Sequence, residues 1–134
     1  MKDIVERFLD YVSFETTSYE PIEGQASSVG QYVLAKHLKE ELEKLDVKNL
    51  YINEFGTVVG YVPGTKEGPT IALIAHMDTS NSASGKDVKA RVLKYEGGDI
   101  ELSTGIKLSP NEFSTLKGKE GHEGLSETDS FSYR

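Results

Sequence analysis

The chain contains no cysteine, which excludes disulfide bonds and thiolate metal sites. It also has no excess of positive charge: 15 basic residues stand against 22 acidic ones, and the formal net charge is -7. Without a basic patch, nucleic-acid binding is not expected. No apolar run approaches the length of about 20 residues that a membrane-spanning helix needs. These absences predict a soluble, acidic, cytoplasmic protein of one domain at most, with neither nucleic acid nor membrane as a partner.

The most informative stretch is an uninterrupted apolar run, residues 71–75, which begins just after Pro69 and ends in His76, with Asp78 two positions later. Such a run predicts a strand buried on both faces, as in parallel sheets covered by helices. Side chains alternate along a strand, so the imidazole and the carboxylate should point the same way at its carboxyl end, where α/β sheets hold ligands. A neutral imidazole there can bind zinc, and a carboxylate can orient it. The same spacing also fits ordinary polar residues that follow a strand.

The rest of the pattern predicts an α/β fold. Capping-box spacings at Asp3 with Glu6, and at Ser28 with Gln31, start two helices, the second reaching about Leu45. The other predicted elements are a hairpin at 47–54 and 57–62, the buried central strand at 70–75, strands at 90–95, 100–102 and 106–108, and a short helical segment at 112–116. We therefore expect a mixed sheet whose central strand is flanked by helices.

Two further histidines and the end of the chain give weaker signals. His37 on the second helix and His122 near the end are predicted to be surface residues. Residues 118–134 are rich in glycine at their start and offer little to bury, so this tail is predicted to be disordered.

Several stretches carry a resemblance when they are taken together and in order. They are residues 6–13 with Thr16 and Ser18, then 30–31, 38–42, 75–80, 84–88, 95–100 and 108–110. In this order they resemble the opening portion of the peptidase T family, the tripeptide aminopeptidase branch of the dizinc M20 metallopeptidases. The resemblance implies that residues 1–117 are the amino-terminal part of a catalytic α/β domain, that the lid domain is absent, and that 118–134 are disordered or altered.

The resemblance also implies a reaction and roles for two residues. Family members remove the amino-terminal residue from tripeptides: a metal-activated water attacks the scissile carbonyl, and a glutamate acts as general base. By this resemblance His76 is a ligand of one of two zinc ions, and Asp78 is the catalytic carboxylate that assists at the metal. The full-length protein would form a homodimer through its lid domain.

The chain departs from the family pattern near its end. Thr128 and Asp129 resemble a family segment Thr-Asp-Gly, but Ser130 replaces the glycine, and neither Asp129, Glu123 nor His122 is predicted as a ligand. The bridging aspartate, the general base and the other ligands would lie beyond this sequence. Because catalytic zinc needs about three protein ligands, the chain alone is predicted to be inactive and to bind zinc weakly or not at all.

Two alternatives stay open at this point. One is another M20-type hydrolase, a dipeptidase or an amino-acid deacylase, although residues 85–88 and 95–100 favour peptidase T. The other is a metal-free α/β binding module.

Overall fold

The computed structural model describes residues 3–19, 26–82, 84–102, 105–126 and 131–132. The chain divides into two compact units: a continuous unit, Phe14–Lys86, and a discontinuous unit made of Met1–Ser13 and Asp87–Arg134. The elements, in chain order, are the helices α1 (Ile4–Tyr11) and α2 (Val29–Lys44), the strands β1 (Lys48–Ile52), β2 (Val58–Tyr61), β3 (Arg91–Lys94), β4 (Ile100–Glu101) and β5 (Lys107–Leu108), a 3₁₀ helix (Ser114–Leu116), and the strands β6 (Glu123–Ser126) and β7 (Phe131–Ser132). The predicted α/β class is confirmed.

The continuous unit is built on α2 and the hairpin of β1 and β2. The two strands pair antiparallel, as predicted, with an irregularity between Lys48 and Tyr51. Asn49 lies within that irregularity at a φ of 51°. One side of α2 packs against both strands of the hairpin. Leu34 and Ala35 are the buried apolar residues of the helix.

The start of α2 differs in detail from the predicted capping box. Ser28 is the N-cap, as expected, but its side chain makes no capping hydrogen bond. Gln31, which is buried, instead donates from Nε2 to the carbonyl oxygen of Thr16 at 3.2 Å and to Ser27 Oγ at 2.9 Å. Its Oε1 accepts from the Ser27 amide at 3.1 Å. Gln31 therefore does not complete a capping box but holds the loop before α2 through hydrogen bonds to Thr16 and Ser27.

The discontinuous unit contains α1 and the remaining strands. The predicted capping box of α1 is confirmed: the Glu6 amide donates to Asp3 Oδ1 at 2.8 Å, and the Asp3 amide donates to Glu6 Oε2 at 2.9 Å. Strands β4 and β5 form a short antiparallel hairpin. The buried cluster of this unit, against which Leu93 and Leu108 pack, consists of Tyr95, Ile100, Leu102 and Leu116.

The prediction of a buried central strand at 70–75 is wrong. Within the described residues this segment belongs to no strand, and Ile71, Leu73 and Ile74 are 79%, 95% and 94% exposed. A strand is buried only if other elements cover it, and α2 packs on the β1–β2 hairpin. The prediction of a mixed sheet is also wrong for the described residues, because every pair of strands among them is antiparallel. Parallel pairing occurs in the described residues as an isolated bridge between Thr17 and Thr79.

Part of the tail predicted to be disordered or altered, residues 123–126, is a strand in the structure. These residues form β6, which pairs antiparallel with β3 and places Leu125, a buried residue, opposite Val92. Gly118 and Gly121 have φ values of 74° and 87°, which glycine adopts without steric cost. The glycines therefore let the chain turn back toward β3. Residues 127–130 and 133–134 lie outside the described residues, and the assignment of 1–117 to a catalytic domain without its lid stays a prediction.

In the part of the chain that the structure describes, no helix combines the length and the apolar character needed to cross a bilayer.

Candidate metal-binding site around His76 and Asp78

The segment that carries the candidate site is joined to the loop after α1. The Thr79 amide donates to the Thr16 carbonyl at 3.2 Å, and the Ser18 amide donates to the Thr79 carbonyl at 2.9 Å. These two bonds form the parallel bridge between Thr17 and Thr79. Thr16 and Thr17 are buried, at 3% and 6% exposure, so the loop side of the bridge is a fixed part of the continuous unit.

His76 and Asp78 lie side by side, as their spacing predicts. His76 Nδ1 is 3.1 Å from Asp78 Oδ1 and 2.9 Å from the backbone oxygen of the same residue. Both contacts are to acceptors, so Nδ1 carries the proton in the neutral ring and Nε2 carries the lone pair. The His76 side chain is 85% exposed. This is the tautomer in which a histidine offers Nε2 to a metal while a carboxylate holds its other nitrogen.

The second carboxylate oxygen of Asp78 is held by a residue sixty positions earlier. Ser18 donates a hydrogen bond from its hydroxyl to Asp78 Oδ2. The sequence marks Ser18 as one of three successive hydroxyl residues in a polar loop, and as part of the family resemblance, but nothing in it pairs this loop with Asp78. The contact depends on the Thr17–Thr79 bridge, for which no local pattern exists.

The hydrogen bond from Ser18 is the main cause of a lowered pKa at Asp78. Partial burial acts in the opposite direction, and the contact with His76 lowers the pKa further. Asp78 therefore stays a carboxylate to a lower pH than an ordinary aspartate. Because its pKa is depressed in the folded state, its contribution to stability is present above the ordinary value and is lost as the pH falls through the folded value.

The described residues supply only part of a metal site. Among them, no group of three or more histidine, aspartate and glutamate side chains is arranged to hold a metal ion. The donor set of His76 and Asp78 fits zinc in kind, as one imidazole nitrogen with a supporting carboxylate, but a catalytic zinc needs about three protein ligands. The other histidines do not join this pair: the ring of His37 packs 5.2 Å from that of Phe14, and His122 is an exposed residue of the turn before β6. Asp129 lies outside the described residues.

The comparisons with known proteins agree with the sequence resemblance. No protein-family model matches the chain. The curated relatives to which it is similar are peptidases, which agrees with the class predicted from the sequence.

The resemblance to peptidase T is confirmed, since the relatives that the chain matches carry that name. The protein of this name from Photobacterium profundum is 45% identical over 126 residues, which are 91% of this chain and 31% of the relative. Those from Halothermothrix orenii and Caldanaerobacter subterraneus are each 42% identical over 126 residues, 90% of this chain and 31% of the relative. The chain thus spans about one third of the length of the curated relatives it matches.

Proposed function

We propose that this chain is part of the catalytic domain of a zinc-dependent tripeptide aminopeptidase of the peptidase T kind, with His76 as a ligand of one of two zinc ions. The observation that carries the proposal is the pair formed by His76 and Asp78, because its hydrogen bonds leave Nε2 as the nitrogen with the lone pair. The similarity to peptidase T over nine-tenths of the chain supports it. Tripeptide specificity, a homodimeric whole protein and a cytoplasmic location are the further parts of this proposal.

In this proposal each residue of the pair has a defined task. His76 binds the metal through Nε2, and Asp78 accepts a hydrogen bond from Nδ1–H and so fixes the orientation of the ring. When bound, zinc supplies Lewis-acid chemistry, polarising a carbonyl group and making water a better nucleophile. Asp78 assists because a carboxylate behind the ring raises the basicity of the ligating nitrogen. Asp78 is a carboxylate at neutral pH, and its lowered pKa keeps it ionised for this task to a lower pH than an ordinary aspartate.

A chimera tests the function of the segment in a complete enzyme. Residues 3–117 would replace the matching segment of the Photobacterium profundum relative, and hydrolysis of tripeptides, dipeptides and acylated amino acids would be compared. We expect the chimera to cleave tripeptides. His76→Ala should abolish the activity, and Asp78→Asn should lower it by about 10- to 100-fold, the range typical of groups that support a metal-binding histidine.

The control in the chimera is His37→Ala, which removes a histidine that packs on Phe14. It should keep most of the activity of the parent chimera. Full activity in the His76→Ala variant would contradict the proposed metal role and favour a metal-free module. Preference for dipeptides or acylated amino acids would instead point to another M20-type hydrolase.

The chain alone should bind zinc only weakly. A single imidazole with one supporting carboxylate gives fewer than the three protein ligands that hold a catalytic ion. Isothermal titration of the 134-residue chain with zinc at neutral pH should therefore show no tight binding, and the weak binding that remains should be reduced by His76→Ala. Tight binding of two ions by this chain would contradict the expectation.

A further inference from the structure

The loop of Thr16, Thr17 and Ser18 is held in place from two directions. On one side, Gln31 of α2 donates to the Thr16 carbonyl at 3.2 Å. On the other side, the same carbonyl accepts from the Thr79 amide, also at 3.2 Å, and the Ser18 amide reaches the Thr79 carbonyl at 2.9 Å. The backbone of Ser18 is therefore fixed relative to Thr79, the residue that directly follows Asp78.

With its backbone fixed, the side chain of Ser18 has a defined task. Its hydroxyl donates to Asp78 Oδ2, and this leaves Oδ1 to accept from His76 Nδ1 at 3.1 Å. The three side chains form one directed series, from hydroxyl to carboxylate to imidazole. Ser18 is half-buried, whereas the His76 side chain is 85% exposed. The protein therefore restrains the serine more than the imidazole, which points to solvent.

We infer that Ser18 is a positioning residue of this site: its hydroxyl holds the Asp78 carboxylate in the orientation that keeps the His76 proton on Nδ1 and leaves Nε2 open for a ligand. Without this hydroxyl, the carboxylate of Asp78, which is 47% exposed, is free to rotate toward solvent. The ring would then lose one of the two acceptors of Nδ1–H and keep the Asp78 backbone oxygen at 2.9 Å, so the neutral imidazole would move part of the way toward the Nε2–H tautomer that free histidine favours in water. The use of Nε2 for zinc rests on the proposed function, but the tautomer itself does not.

The test compares two substitutions of similar shape, Ser18→Thr and Ser18→Val. Both add a β-branched carbon, and both suit the extended backbone of the bridge, but only threonine keeps a hydroxyl. The tautomer of His76 is read from the ring nitrogen shifts in long-range proton–nitrogen spectra of the metal-free chain, at a pH where the ring is neutral. The chain has only three histidines, so His76→Gln identifies the relevant signals.

We expect His76 to be mainly the Nδ1–H tautomer in the parent chain and in Ser18→Thr. In Ser18→Val the ratio of the two tautomers should shift by about tenfold toward Nε2–H, the factor that one hydrogen bond typically carries. Ser82→Ala is the matched control, because it removes another hydroxyl from the segment after Asp78, and it should leave the ratio unchanged. Backbone amide spectra report whether each variant is folded.

Three results would overturn the inference. One is an unchanged tautomer ratio in a folded Ser18→Val variant, and another is the same shift in the threonine and valine variants. The third is loss of folding in Ser18→Val and also in Ser18→Ala while Ser18→Thr stays folded, because the hydroxyl would then serve the fold rather than the imidazole. An inactive chimera would bear on the proposed function alone, since the tautomer is measured without metal or substrate.

Discussion

Gly30→Ala should destabilise the continuous unit, although alanine is the better helix former. Gly30 lies in the first turn of α2, and a Cβ on it would be 1.6 Å from the carbonyl oxygen of Glu15. Backbone atoms cannot yield as the end of a flexible side chain can, so the loop after α1 has to move away from the helix. Overpacking typically costs about 1–3 kcal/mol, and a clash this close should reach at least the upper end.

The direction of the change in stability distinguishes the close contact from an ordinary helix position. In a solvent-exposed helix the same substitution stabilises by about 1 kcal/mol. A lower midpoint of denaturant unfolding would therefore support the close contact between Glu15 and Gly30, and a higher midpoint would contradict it. Gly68→Ala is the matched control, because no atom lies within 4 Å of a Cβ at that position. It should leave the stability unchanged or raise it slightly.

The substitution should also affect the candidate site. The displaced loop carries Ser18, whose hydroxyl holds Asp78. If the loop moves, the His76 tautomer should change together with the stability. A stable Gly30→Ala variant with an unchanged His76 spectrum would show that the loop tolerates a side chain at this contact.

The elements that the sequence predicts correctly are those set by neighbouring residues. The capping box of α1 depends on residues three apart, and both hairpins depend on a turn between two short alternating segments. In each case the signal and the structure lie within the same few residues. Local physical chemistry is therefore sufficient to place them.

The predictions that differ from the structure all depend on contacts between segments that lie far apart in the sequence. Residues 71–75 have the composition of a buried strand, but burial needs covering elements, and the described part of the continuous unit places α2 on the hairpin. Conversely, β6 looks like a glycine-rich tail, yet it finds a partner in β3, about thirty residues earlier. The composition of a segment shows whether it has apolar side chains to bury. Whether they are buried depends on which other elements pack against the segment.

The candidate site also has one part that depends on neighbouring residues and one part that depends on distant ones. The closeness of His76 and Asp78 follows from a two-residue spacing, and the structure brings the pair to 3.1 Å. The third member, Ser18, comes from a bridge between segments sixty residues apart, so no spacing rule could include it. The pair was accessible to sequence reasoning, and the residue that orients it was not.

The exposed apolar segment should make the chain self-associate. Residues 70–75 form a six-residue stretch without charge, proline or glycine, and they are rich in residues that favour strands. Such stretches pair with copies of themselves when they are exposed. Ile71, Leu73 and Ile74 are 79%, 95% and 94% exposed, so little has to be uncovered first. Sedimentation velocity over a range of concentrations should therefore show assemblies that grow with concentration.

Leu73→Lys should shift this equilibrium toward the monomer. Burying one leucine contributes about 1.5–3 kcal/mol, so association should weaken by about 10- to 100-fold. The substitution also moves the net charge of -7 one unit toward zero, which on its own favours association. A weaker association can therefore be assigned to the segment rather than to the overall charge.

Val62→Lys makes the same charge change at a residue that is 72% exposed but outside the stretch, and it should leave the assemblies intact. A parent chain that stays monomeric at every concentration, or equal effects of the two lysines, would refute a role for residues 70–75 in association.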